Sequence, residues 1–265
     1  MTIKLVIAGC AGRMGSRIAA LALNDSLFAI AGALEAKGHQ AIGQDLGVLG
    51  GGKALGVRVT DNVTEALHSG EVLIEFTHPQ ATLEHVRAAR QLKKAMVIGT
   101  TGLSDEECAV IADAAKEIPI VFSPNMSVGV NLLFELVELA AKRLGRAYDV
   151  EVIEAHHRAK RDAPSGTAKR LAALLAKHRQ QSAGEIPVHA IRAGEIVGDH
   201  TVVFAGPSER LELTHRAHSR DVFAQGALLA ARFVHAQRPG LYDMSHVLKE
   251  QHSRDERDNR SALHH

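Results

Sequence analysis

Ile3-Lys4-Leu5-Val6-Ile7-Ala8-Gly9-Cys10-Ala11-Gly12-Arg13-Met14-Gly15 is the stretch on which the fold class turns. Residues 3–8 form a short, nearly continuous apolar run, a glycine-bearing turn follows at once, and residues 14–23 carry apolar side chains at helical spacing. The order is strand, turn, helix. Working outward, residues 28–34, 72–76 and 96–98 read as further strands, apolar throughout rather than alternating, as strands buried on both faces of a parallel sheet are. Residues 118–122 read as the last strand of this half, ending at Ser123-Pro124-Asn125. Helical spacing marks residues 79–93, with Pro79 near the first turn, and residues 104–117, where Ser104 and Glu107 have the spacing of a capping box. Strand alternating with helix predicts right-handed crossovers and a doubly wound parallel sheet of class α/β.

Beyond Ser127 the pattern changes. A long helix over residues 128–144 leads to an alternating strand at 149–154, a charged loop, and a helix from Pro164 to about residue 178. Two alternating stretches, 195–204 and 209–215, flank Gly206-Pro207-Ser208 and predict an antiparallel pair with one wet face. The expected organisation is a dinucleotide-binding domain over residues 1–126, rejoined by about 223–249, and an α+β domain over 127–222. Residues 250–265, dense in charge, are expected to be a disordered tail. The glycine-rich run 47–56 reads as a mobile surface loop in preference to a binding element.

Composition removes whole classes of function. Thirty-one Lys and Arg against thirty Asp and Glu leave a formal charge of +1, so no broad field exists to hold a nucleic-acid backbone or an anionic membrane. With aromatics at 3%, stacking platforms for single-stranded nucleic acid are not expected either. Cys10 and Cys108 stand far apart, forming neither a disulfide ladder nor a CxxC clamp, which suits a reducing cytoplasm. No basic stretch precedes an apolar run at the start, and no apolar run approaches membrane-spanning length, so neither targeting nor anchoring is expected.

Three elements of the first half suit a dinucleotide. Gly9, Gly12 and Gly15 hold the first, fourth and seventh positions of the turn, where bare backbone lets the amides of the following helix approach a pyrophosphate. Ala11 departs from the G-x-G-x-x-G pattern, and a plain tight turn is the competing reading. Glu35, at the end of the second strand, is placed to accept hydrogen bonds from an adenosine ribose, the alternative being an ordinary strand-end acid. Gly99-Thr100-Thr101-Gly102 lies at the carboxyl end of a buried strand and suits a nicotinamide ribose or carboxamide, or a simple turn.

The densest chemistry lies in Glu154-Ala155-His156-His157-Arg158-Ala159-Lys160-Arg161-Asp162-Ala163-Pro164-Ser165-Gly166-Thr167-Ala168. If the strand persists through the histidines, their rings point to opposite sides, so one can face a reacting atom while the other grips substrate. Lys160 supplies a cation, and the helix opening at Ser165-Gly166-Thr167 offers amides and a hydroxyl to a carboxylate. This is a pocket for a small dianion. A zinc site lacks a third ligand at useful spacing, so no metal is expected, and the competing reading is a solvated charged loop.

EAHHRAKRDAPSGTA, together with GCAGRMG, IGTTG and FSPNMSVGVN, closely resembles the 4-hydroxy-tetrahydrodipicolinate reductase (dihydrodipicolinate reductase) family, over nearly the whole chain to about residue 249. The resemblance implies a Rossmann domain, a second domain whose mixed sheet builds a homotetramer, a small dicarboxylate substrate and a nicotinamide cofactor, NADH or NADPH. It implies His156 as proton donor or acceptor, Lys160 as proton donor, and His157, Gly166 and Thr167 as substrate contacts. Cofactor contacts implied in the same way are Gly9, Cys10, Ala11, Gly12, Arg13, Met14, Glu35, Gly99, Thr100, Thr101, Ser123, Pro124, Asn125 and Met126.

Two departures from the family pattern matter. Where many relatives place an arginine after the acidic residue, this chain has Ala36, which leaves Lys37 or Arg13 to meet a 2′-phosphate and favours NADH or dual use. The segment 182–187 is short where relatives often carry a longer loop. Competing functions are another Rossmann oxidoreductase, such as a semialdehyde or amino-acid dehydrogenase, and a nicotinamide-sensing protein without chemistry. The first would not need the His-His-x-x-Lys cluster, and intact His156 and Lys160 argue against the second.

Overall fold

The structure is a computed structural model and describes residues 2–252. In chain order its elements are β1 (Ile3–Ala8), α1 (Gly15–Ala22), β2 (Phe28–Leu34), α2 (Leu46–Leu49), β3 (Val59–Thr60), α3 (Val63–His68), β4 (Val72–Glu75), α4 (Pro79–Gln91), β5 (Ala95–Ile98), α5 (Asp105–Ala114) and β6 (Pro119–Phe122). Then come α6 (Val128–Leu144), β7 (Asp149–His156), α7 (Gly166–Arg179), β8 (Val188–Arg192), β9 (Gly198–Ala205), β10 (Arg210–Ala217), α8 (Asp221–His235) and β11 (Gly240–Tyr242). The described chain divides into two compact units, one built from residues 2–126 and 223–252, the other from Ser127–Val222.

The first unit is an α/β domain around a seven-stranded sheet in the order β11-β6-β5-β4-β1-β2-β3. Every pairing in it is parallel. The order reverses between β1 and β4, the switch point at which open α/β sheets bind ligands. Its central strands are apolar, Glu75 at the end of β4 excepted, because both faces are covered: all four residues of β4 and of β5 are buried. Helix ends follow local chemistry. Pro79 opens α4, and Ser104 and Glu107 close a reciprocal capping box at α5.

The second unit is α+β, with a mixed four-stranded sheet ordered β10-β9-β7-β8. β9 pairs antiparallel with both β10 and β7, and β8 lies parallel to β7 at the edge. Strict alternation along β7 and β9 puts Val150, Val152, Val202 and Phe204 into a core shared with α6 and α7. The opposite face carries Ile153, 36% exposed, and Ile191, 47% exposed.

Several boundaries differ from expectation for physical reasons. β7 runs on to His156 because Ala155 and His156 pair with Ile191 and Arg192 of β8. α7 starts at Gly166 rather than Pro164: Ser165 is extended, and its hydroxyl oxygen accepts the Ala168 amide as N-cap. The run 47–56, read as a mobile loop, is folded around Asp45, whose carboxylate accepts the amides of Gly47, Val48, Leu55 and Gly56. A Cβ at Gly47 would lie 2.1 Å from the Lys53 carbonyl oxygen, so this closure requires glycine there. Of the expected disordered tail, residues 250–252 belong instead to a helix over 244–252, which Met244 and Val247 anchor in the core. The remainder, 253–265, lies outside the described residues.

Candidate active site

In the first unit a groove of about 1160 Å³ opens along the carboxyl ends of β1, β2 and β4. Gly9, Gly12, Arg13 and Met14 line it from the glycine turn, Glu35 and Lys37 from the end of β2, and Phe76 to His78 from the end of β4. Gly9 adopts φ +63°, and a Cβ at Gly15 would fall 2.1 Å from the Gly9 carbonyl oxygen, so the turn and helix meet only without side chains. α1 opens with no side-chain cap and no acid in its first turn, which leaves its amide end suited to an anion. Arg13 and Lys37 add cationic lining. Groove size, bare turn and uncapped helix together fit a dinucleotide.

Glu35 does more than face the groove. Its Oε1 accepts the Ala11 amide at 2.8 Å and its Oε2 the Ala36 amide at 3.1 Å, tying the end of β2 to the glycine turn. Cys10 and Ala11 face a second cavity, of about 640 Å³, rather than the groove. Burial, reinforced by Glu35, pushes the Cys10 thiol up to about 12, so it stays an inert thiol.

The other cofactor candidates are placed as follows. Gly99 packs under Phe76, whose ring a Cβ would meet at 2.2 Å. Thr100 is buried, its hydroxyl bonded to Thr82 Oγ1 at 2.9 Å and to the Thr77 amide at 3.2 Å, while Thr101 is exposed. Ser123 and Met126 are buried, Pro124 is exposed, and Asn125 is half-buried, its carbonyl accepting the Ser123 hydroxyl at 2.9 Å. Behind these loops lies a group the sequence reading passed over. Glu75, inside a run read as uniformly apolar, is fully buried and bonded to His85 Nδ1 and to the amide and hydroxyl of Thr77. A lone acid at the end of an apolar strand was the available signal.

In the second unit His156 is 8% exposed on the inner face of the mixed sheet, and Glu154, two residues earlier on that face, is fully buried. His156 Nδ1 lies 2.5 Å from Glu154 Oε2. Arg192 of β8 grips the same carboxylate with both terminal nitrogens, at 2.8 and 2.7 Å, and the Ser165 amide donates to it at 3.0 Å. Burial alone pushes the Glu154 carboxyl up, but Arg192, His156 and the Ser165 amide together hold it below the usual carboxylate range. Burial also pulls His156 below the ordinary imidazole value, with Lys160 and Arg192 adding to the depression against the opposing pull of Glu154. The pair is therefore a carboxylate facing a neutral imidazole.

Lys160 Nζ is partnered by Asp162 Oδ1 at 2.8 Å, and Arg192 Nη2 also donates to the Asp162 carbonyl at 2.6 Å. His157, half-buried, follows the strand end, and Gly166 and Thr167 form the first turn of α7. His200 of β9 is 3% exposed, its ring edge-on to His156 with centroids 5.1 Å apart and its Nε2 3.1 Å from Ser165 Oγ. Arg192 and His200 were not singled out in the sequence, because nothing local ties them to a cluster that lies tens of residues earlier. Among the described residues no three His, Cys, Asp or Glu side chains gather as a metal cage, and no helix is long and apolar enough to cross a membrane.

Residues 3–126 match the family "Dihydrodipicolinate reductase, N-terminus" and residues 129–248 match "Dihydrodipicolinate reductase, C-terminus". A 4-hydroxy-tetrahydrodipicolinate reductase of Anaeromyxobacter dehalogenans is 47% identical over 262 residues, covering 92% of this chain and 97% of the relative. Another, of Geotalea uraniireducens, is 45% identical over 263 residues, covering 93% and 98%. Among solved structures, a dipicolinate-bound dihydrodipicolinate reductase from Paenisporosarcina sp. TG-14 superposes with a TM-score of 0.77 at 25% identity, over 92% of this chain and 98% of that one. With both of its units matched and relatives of this identity aligned along nearly its full length, the chain belongs to the dihydrodipicolinate reductase family.

Proposed function

We propose that this protein reduces 4-hydroxy-tetrahydrodipicolinate to tetrahydrodipicolinate with a nicotinamide cofactor, a step toward diaminopimelate and lysine. The observation that carries the reading is the match of both units to the family, in a chain that keeps the Glu154, His156, Lys160 cluster buried or half-buried at a strand end. The reaction replaces a hydroxyl, lost as water, with a hydride, so one proton must be delivered. When bound, the reduced nicotinamide supplies that hydride to a ring carbon. His156 and Lys160 are the acids available to give the proton. Lys160, His157 and the opening turn of α7 at Gly166 and Thr167 bind the two carboxylates, combining a cation with helix amides.

In the first unit the glycine turn with Arg13 and Met14 holds the pyrophosphate, and Glu35 accepts the adenosine ribose hydroxyls. Gly99 to Thr101 and Ser123 to Met126 receive the nicotinamide end. A carboxylate at 35 followed by Ala36 disfavours a 2′-phosphate, while Lys37 and Arg13 on the same groove offset that repulsion, so we assign NADH or dual use. The outer face of the mixed sheet, with Ile153 and Ile191 exposed, supports assembly into a homotetramer through this unit. Free, unpaired Cys10 and Cys108 suit a reducing cytoplasm.

The test follows reduced-nicotinamide absorbance with NADH and with NADPH, using substrate made in situ by the preceding synthase. Competition by pyridine-2,6-dicarboxylate is expected. Absence of turnover with either cofactor refutes the proposal.

A further inference from the structure

Four donors converge on one buried carboxylate: Nη1 and Nη2 of Arg192, the Ser165 amide, and His156 Nδ1, at 2.8, 2.7, 3.0 and 2.5 Å. An ionised carboxylate accepts and cannot donate, so Nδ1 must bring the hydrogen to the 2.5 Å contact. That leaves Nε2 as the ring atom free to exchange a proton. Beside Nε2 stands Gly198 of β9, where a Cβ would come within 3.1 Å of that nitrogen, so glycine keeps the approach to it uncrowded. Arg192 binds both oxygens in a fork, which sets the plane of the carboxylate and thereby the tilt of the imidazole.

We infer that Glu154 and Arg192 are positioning residues for the reaction proposed above: Glu154 locks His156 in the Nδ1–H form with Nε2 as its working atom, and Arg192 keeps the carboxylate charged and aimed. Neither need touch substrate. The inference rests on the reductase reading for its kinetic consequences but not for the tautomer itself. The depressed affinity of His156 for a proton fits the arrangement, since the free protein then holds a neutral ring that a dianionic ligand induces to take up a proton at Nε2. The groups that face this ring are Glu154 on its own strand, Lys160 beyond it, Arg192 on β8 and His200 on β9.

Glu154→Gln is the direct test. An amide has one acceptor where the carboxylate has two, so one of its ends must present N–H groups to donors. On the His156 side this turns the imidazole to its Nε2–H form. The expected results are an Nε2–H tautomer by ¹⁵N NMR of histidine-labelled protein, and kcat lower by about a hundredfold or more. KM and pyridine-2,6-dicarboxylate affinity should change only a few-fold, and the limb of the kcat profile that falls at high pH should move toward lower pH. Arg192→Lys, which keeps the charge and loses the fork, should show a milder kcat loss with the Nδ1–H form retained.

The ¹⁵N spectrum of the unmodified protein decides the matter even if Glu154→Gln fails to fold: an Nδ1–H signal supports the inference and an Nε2–H signal overturns it. A folded Glu154→Gln protein that loses activity with its tautomer and pH profile unchanged also overturns it, because a merely structural role would do that. Failure of the reductase reading is a separate outcome. It shows as an unmodified protein that never oxidises nicotinamide while the tautomer stays as inferred.

Discussion

Gly226→Ala offers a sharp test of how the first unit holds its cofactor loop. Gly226 lies inside α8, where alanine by itself should stabilise the helix by about 1 kcal/mol. Packing opposes this gain. An ideal Cβ at Gly226 falls 1.8 Å from the Met126 carbonyl oxygen, where ordinary contact begins near 3.4 Å, so one backbone must retreat by about 1.6 Å. The obstacle is main chain, not the flexible end of a side chain, and Met126 is itself 1% exposed, so the strain belongs at the upper end of overpacking, about 3 kcal/mol. The net loss is then about 2 kcal/mol, equivalent to a melting temperature lower by roughly 4–8 °C for a chain of this size.

The displaced segment is also the one proposed to meet the nicotinamide. A shift on the scale of 1 Å at a hydride donor can cost on the order of a hundredfold in turnover. Thermal unfolding and fluorescence titration with NADH should therefore report lower stability and weaker cofactor binding together. Gly184→Ala is the control, since nothing lies within 4 Å of a Cβ there. An unchanged midpoint and unchanged NADH affinity in Gly226→Ala would refute the packing described for α8.

Other outcomes follow from the second unit and the glycine-rich loop. His156→Gln should slow turnover by about a hundredfold to ten-thousandfold and leave NADH affinity unchanged; near-normal steady-state kinetics would remove it as the proton donor. Lys160→Ala should raise KM and lower kcat together, because a dianion loses a cation, and unchanged kinetics would count against its role. Asp45→Ala should strip hydrogen-exchange protection from the Leu55 and Gly56 amides, which its carboxylate accepts at 2.9 and 2.7 Å; retained protection would mean the loop closes without it. His200 is pulled from 6.5 to about 3, by burial first and by His156 next, against the opposing pull of Glu154. Its folded-state pKa is depressed, so its contribution to stability is complete above about 6.5 and is lost as pH falls toward 3. Denaturant unfolding of His200→Asn should accordingly vary less between pH 7 and pH 4 than that of the parent; an equal slope would relieve His200 of that acid sensitivity.

Elements whose pattern repeats locally were legible in the sequence. Residues 28–34 and 128–144 were expected as strand and helix and coincide with β2 and α6, because a continuous apolar run and a 3.6-residue stripe each report burial directly. The short strands were not legible. β3 has two residues and exists only because Ala33 and Leu34 present backbone groups to it, and β11 has three and depends likewise on β6. β8 reads as a mixed polar segment because only one of its faces meets the sheet core, and its direction, parallel to β7, is set by the long connection through α7.

For the candidate site the same division holds at the level of side chains. His156, Lys160, Gly166 and Thr167 drew notice because they crowd a single strand-to-helix connection, and α7 begins where Ser165 caps it. Glu154 opened that stretch but drew no role of its own from the sequence, because its partner Arg192 is a product of register: β7 and β8 run parallel with His156 beside Arg192, which brings the guanidinium over the carboxylate two residues back. His200 reaches the cluster by the same means, since β9 sets it opposite Glu154. A charge buried this completely is tolerable only with its partners in place, so the strand order that brings Arg192 and the Ser165 amide to Glu154 is a condition for the site as well as for the sheet. Local spacing can nominate a reactive histidine, but the atom it works through is decided by residues that only tertiary register brings within reach.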